Sequence, residues 1–135
     1  MIRQVSDRRD MLAQMAPRLD DRAYCFMLVD PSSAPQALGA AIGTFREDEG
    51  VTAIVPETVA RELGEQSPAF ARITLMVHSS LTGFGLTASV TSTLAEHGIA
   101  CNVIAAWHHD HLFVPVAEGE HALRLLRQLS EDARR

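Results

Sequence analysis

Three groups of residues offer chemistry at close spacing. The first is the run His78-Ser-Ser-Leu-Thr-Gly-Phe-Gly-Leu-Thr87. Gly83 and Gly85 let backbone N–H groups converge, and a helix starting near Leu86 adds the positive end of its dipole. Such a junction suits a small anion, either a carboxylate or a phosphate. The second group is His108-His-Asp-His111. On an extended segment His109 and His111 fall on one side, and imidazoles beside a carboxylate are plausible zinc ligands. A metal site needs three or four converging ligands, and spacing fixes no relation between this turn and His78, His97 or His121. The other reading is a polar hairpin turn in which Asp110 supplies the side-chain hydrogen bond. The third group is the hydroxyls of Ser79, Ser80 and Thr82 beside His78. No strained Gly-x-Ser-x-Gly elbow presents them as nucleophiles, so loop hydrogen bonding and helix capping are their expected roles.

Composition removes several classes of chemistry. All 12 basic residues are Arg. That excludes Schiff-base and pyridoxal-phosphate enzymes and a Walker-type phosphate loop, each of which needs a Lys. Gly83-Phe-Gly-Leu-Thr-Ala88 matches the dinucleotide pattern G-x-G-x-x-A. The next two strands, however, are joined by only about four residues, which permits an antiparallel hairpin but no parallel crossover. Phosphate readings of the loop therefore fall away. The net charge of −5 argues against nucleic acid as a partner. No apolar run reaches membrane-spanning length, and the amino terminus lacks a signal-peptide core, so a soluble cytoplasmic protein is expected. Cys25 and Cys101 lie in apolar runs and read as small hydrophobes.

The elements that must position these groups follow from periodicity. Residues 7–16 form a short helix closed by Pro17. Tyr24–Val29 is a strand, and Asp30–Gln36 is a loop with two prolines. Ala40–Phe45 and Val51–Val55 are strands joined by Arg46–Gly50, and Glu57–Leu63 is a helix stopped by Gly64. Ile73, Leu75 and Val77 alternate with more polar residues, which predicts a strand with one face on a core. Leu86, Val90 and Leu94 recur at helical spacing up to Gly98. Ala100–Trp107 and Leu112–Val116 form a hairpin, with Pro115 marking an edge strand or a bulge. His121–Leu129 is a final amphipathic helix, followed by a frayed tail. The second half thus runs βαββα, most of the ferredoxin-like plan, and the first half follows a similar order without the long helix. At 135 residues the chain holds one ordinary domain or two very small ones that share a core.

The runs Ile73–Ala88, Leu94-Ala-Glu-His-Gly-Ile-Ala-Cys-Asn-Val103 and His109-Asp-His-Leu-Phe-Val-Pro115 together resemble an ACT domain. Gly-Leu-Thr opening a helix, then Gly-Ile-x-x-Asn-Val on the next strand, carries the resemblance. With Tyr24–Val29 and Thr44–Gly50, the whole chain is similar to small stand-alone tandem ACT proteins of bacteria. The resemblance implies an α+β, ferredoxin-like (βαββαβ) fold in two modules with antiparallel sheets. Residues 1–64 would be a divergent module with a leading helix, 65–69 a linker, and 70–135 a complete ACT domain.

The resemblance also implies a non-enzymatic regulatory module that binds a free amino acid or similar small carboxylate, needs no cofactor, and pairs as a homodimer. Matched to this chain, the ligand site comprises His78, Ser79, Ser80, Leu81, Gly83, Phe84, Gly85, Leu86 and Thr87, with Asn102 and Val103 on the next strand. Backbone N–H groups of Gly83–Leu86 would hold the carboxylate, and Asn102 would position the ammonium group or the loop. Two other readings stay open. One is a metal-dependent enzyme or sensor using His109 and His111; the other is a docking subunit without a ligand.

Overall fold

The computed structural model describes residues 4–135. In chain order the elements are α1 (Arg8–Ala13), β1 (Pro17–Val29), α2 (Ala34–Ala40), β2 (Gly43–Glu47), β3 (Gly50–Pro56) and α3 (Glu57–Glu62). They are followed by β4 (Phe70–Leu75), α4 (Leu86–Glu96), β5 (Asn102–Ala105), β6 (Asp110–Pro115), a 3₁₀ turn (Val116–Glu118) and α5 (Gly119–Arg134). The chain divides into two compact units. One joins the segment up to Asp20 with Ala71–Arg135, and the other is Asp21–Phe70.

The Asp21–Phe70 unit contains most of β1, then α2, β2, β3 and α3. Strand β3 pairs antiparallel with β1 from Tyr24↔Pro56 to Val29↔Val51, and with β2 from Gly43↔Ile54 to Glu47↔Gly50. Alternation places Cys25 and Met27 on one face of β1 and Ala53 and Val55 on one face of β3. These four meet Ala37 of α2 and Ala60 of α3 in a core of mostly small side chains. The sequence reading has a loop where α2 lies. Asp30 and Pro35 explain the helix: proline is tolerated in a first helical turn, where its missing N–H costs nothing.

The other unit orders its strands β4-β6-β5, with β5 and β6 antiparallel from Asn102↔Phe113 to Ala105↔Asp110. Its core is larger. Ile73 and Leu75 of β4 and Leu112 and Val114 of β6 pack with Val90 and Leu94 of α4, Leu126 of α5, and Met11 and Met15. Each unit therefore runs strand, helix, strand, strand, helix, which bears out the ferredoxin-like expectation.

Three expectations at the ends of elements are corrected. Pro17 does not merely close a helix; it opens β1, which starts seven residues before Tyr24 and carries Asp20, ion-paired with Arg72 of β4 at 2.8 Å. Pro115 marks no edge, because β6 lies between β4 and β5 and the proline is its last residue, where no further ladder donor is needed. The tail is not frayed. Helix α5 runs to Arg134, whose Nη1 donates to Ala13 O at 2.8 Å, while Ser130 Oγ donates to the same oxygen at 3.2 Å. Ala13 ends α1 with an unpaired carbonyl, so these donors tie the last turn of α5 to α1.

Candidate functional site

The loop after β4 is shaped by short hydrogen bonds. Val5 N–H donates to His78 O at 2.7 Å and Ser80 N–H to Val5 O at 2.9 Å. Gly83 N–H donates to Ser80 O at 3.0 Å, and Ser80 Oγ accepts from Thr82 N–H at 3.2 Å. The loop hydroxyls thus satisfy the loop itself. None of them caps α4, contrary to the capping role expected of them, because Gly85 is the N-cap with φ +101°. A Cβ on Gly85 would lie 2.6 Å from Arg8 Cδ, so Arg8 lies directly over this glycine, with its Nε donating to Ser89 Oγ at 3.0 Å. Positive φ and the arginine stem both require glycine here.

A glycine cap leaves the first turn of α4 open. Ser89 N–H is the first to be satisfied within the helix, by Gly85 O at 3.0 Å. Among the described residues no acceptor reaches the N–H groups of Leu86, Thr87 or Ala88. These are orphan donors at the positive end of an 11-residue helix. Of the Gly83–Leu86 donors expected from sequence, Gly83 N–H is spent on Ser80, and among the described residues no acceptor reaches the N–H of Phe84, Gly85 or Leu86.

A cavity of about 460 Å³ lies at this turn. Of the residues singled out from sequence, Ser79–Leu81 and Gly83–Thr87 line it, whereas His78 does not. Phe84 stands 84% exposed at its rim. Asn102 is exposed at the start of β5 and Val103 packs against the core, and neither lines the cavity. Met11, Ala88, Ala105 and Asp110 complete the wall. Asp110 lines the cavity, where the sequence reading had it as a turn residue. It belongs not to the turn but to β6, paired with Ala105, and the turn is closed by Ala106 N–H donating to His109 O at 3.0 Å. The residue is 8% exposed, and Ser79 Oγ–H donates to its Oδ2 at 3.2 Å. The signal was the register of the hairpin, hidden by the run of polar residues.

The histidines form two groups. His78 meets His108 and His109 at ring separations of 4.8 and 5.4 Å, a relation that spacing did not reveal. His109 and His111 are 6.4 Å apart, and His111 Nδ1 lies 3.0 Å from Thr74 Oγ1. His97 faces His121 at 5.9 Å. Burial, then the neighbouring His78 and His108, hold His109 below the usual 6.5, and burial, then Arg72, does the same for His111. Among the described residues no three His, Cys, Asp or Glu side chains converge so as to hold a metal ion. Cys25 is buried, and burial pushes the Cys101 thiol up to about 11, so it is not a thiolate at neutral pH.

Models of the ACT domain match residues 5–72 and residues 72–128. A crystal structure of a Vibrio cholerae protein of unknown function, a possible transport protein, is 43% identical, with a TM-score of 0.76 over 87% of this chain and 91% of that one. The ligand-free regulatory subunit of aspartate kinase from Thermus thermophilus shares the fold at 15% identity, with a TM-score of 0.63 over 87% of this chain and 97% of that one. An Agrobacterium tumefaciens protein does so at 16% identity, with a TM-score of 0.62 over 84% and 87%. No curated protein matches the chain. No described helix is long and apolar enough to cross a membrane. On the two family matches and the 43% identical relative, the chain belongs to the ACT-domain family.

Proposed function

We propose that this protein is a non-enzymatic regulatory module that binds a free amino acid at the loop between β4 and α4. The observation that carries the reading is the open first turn of α4, with unfilled N–H groups on Leu86, Thr87 and Ala88 beside a cavity large enough for any amino acid. Those donors and the helix dipole would hold the ligand carboxylate. Phe84, Leu81 and Met11 give the cavity an apolar side for the ligand side chain. Shared fold with aspartate kinase regulatory subunits supports the regulatory part of the reading. We extend it to a cytoplasmic homodimer, because β2 and β5 end the strand orders and open sheet edges pair readily.

A thermal-shift screen of the twenty amino acids tests the proposal. At a hundredfold excess over its dissociation constant a ligand adds about 2.7 kcal/mol, a shift of several degrees. If none of the twenty raises the melting temperature at millimolar concentration, the reading is wrong.

A further inference from the structure

Among the described residues Asp110 is the one acidic residue lining the cavity, and no Arg or His lines it. The residue as a whole is 8% exposed, and its carboxylate receives one hydrogen bond, from Ser79 Oγ to Oδ2 at 3.2 Å. Among the described residues nothing donates to Oδ1. A carboxylate can accept about four hydrogen bonds, so Asp110 keeps acceptor capacity for a molecule in the cavity it lines. The flanking His109 and His111 are held below their usual range by burial, so at pH 7.5 they are neutral and do not compensate the charge. The same cavity therefore presents donors without acceptors, on Leu86, Thr87 and Ala88, and on Asp110 a carboxylate with one of its acceptor positions filled, by Ser79.

A small molecule that satisfies both has an anionic and a cationic group on a short skeleton. We propose that Asp110 recognises the ammonium group of the bound amino acid, so that the cavity selects the zwitterion over hydroxy, keto or simple carboxylic acids with the same side chain. Asp110 also takes the place of Asn102, which stands exposed outside the cavity wall. A charge-assisted N–H···O⁻ bond is roughly twice as strong as a neutral one, and an uncharged hydroxyl in the ammonium position forfeits that advantage. The inference rests on the cavity being an amino-acid site, and its test separates the two.

The test is calorimetric titration at pH 7.5 of the full chain, wild type and Asp110→Asn. The probes are the amino acid with the largest thermal shift in the panel of twenty and its α-hydroxy counterpart, for example L-leucine with L-2-hydroxyisocaproate. The wild type should bind the amino acid at least about tenfold more tightly than the hydroxy acid, and Asp110→Asn should reduce the ratio below about threefold. Circular dichroism checks that the variant folds. Should it not fold, the wild-type ratio alone decides. A wild-type ratio near one, or a tenfold ratio kept by Asp110→Asn, overturns the role of Asp110 while leaving the amino-acid reading intact. No binding by any of the twenty overturns both.

Discussion

The two units carry the same strand–loop–helix junction and treat it in opposite ways. In the Asp21–Phe70 unit, β1 leads through Asp30-Pro-Ser-Ser33 into α2. There Asp30 Oδ1 accepts from the N–H groups of Ser32 and Ser33 at 2.9 Å each and from Ser32 Oγ–H at 2.6 Å. The carbonyl of Asp30 takes the N–H of Ala34 at 2.9 Å, and Pro35 has no N–H to offer. The chain thus supplies its own carboxylate to the donors of that turn. After β4 the cap is Gly85, which has no side chain, and three donors of α4 stay open beside a cavity. One junction carries a carboxylate of its own ahead of the helix, and the other has a bare glycine at the cap. The two units share the order of their elements, and a single side chain decides whether a carboxylate of the chain's own meets the donors of this junction.

The largest effects should test the difference between the cores. Leu94→Ala empties a fully buried position among large neighbours, and about 2–5 kcal/mol of stability should be lost. Val55→Ala in the other unit removes two methyl groups from a core rich in alanine, costing roughly 1.6 kcal/mol before any cavity cost. Urea unfolding measures both, and equal losses would mean that the cores do not differ as described. Next come two glycines with opposite signs. Gly85→Ala should destabilise by about 1–2 kcal/mol from left-handed φ alone, and more as Arg8 is displaced. Gly39→Ala, inside α2 with open space around the added methyl, should stabilise by about 0.5–1 kcal/mol. A stabilised Gly85→Ala protein would show that the cap is not strained as described.

Smaller effects probe the loops by pH. Hydrogen bonds from Ser32 and then Ser33 hold the Asp30 carboxyl below its usual 3.8. A depressed acid stabilises above its unfolded value and loses that contribution as pH falls. Asp30→Ala should therefore lower the melting temperature at pH 7, and the gap should close once the pH is well below 3.8; a gap constant with pH would remove Asp30 from the junction. The histidines give the smallest signal. His109 and His111 are lowered from 6.5, so the unfolded chain takes up protons first as pH falls. Stability should rise with pH through the region just below 6.5 and level off above it. His111→Gln should flatten part of that slope in a melting series from pH 5 to 8.

The junction after β4 was legible because its strand alternates at Ile73, Leu75 and Val77 and its helix repeats at Leu86, Val90 and Leu94. Both patterns are local and strong, and the same residues fill the core. The misreadings came from residues whose meaning depends on neighbours far along the chain. Pro17, Pro35 and Pro115 read in sequence as breaks or edges, yet each occupies a place where its missing N–H is harmless: the start of a strand, the first turn of a helix, the end of a strand. The tail at residues 131–135, read from sequence as frayed, is helical to Arg134, and hydrogen bonds to Ala13 tie its last turn down.

The sequence by itself determined the fold class and the position of the β4–α4 loop, since hydrophobic periodicity and glycine placement act over a few residues, and its motifs carried the family resemblance. Only the tertiary structure decided what surrounds that loop. Arg8 over Gly85 is separated from it by 77 positions (85 − 8), and Ser79 on Asp110 by 31. The hairpin register carries Asp110 out of the turn and Asn102 away from the cavity. Contacts across such separations depend on how strands pair and helices pack, and no local spacing encodes them.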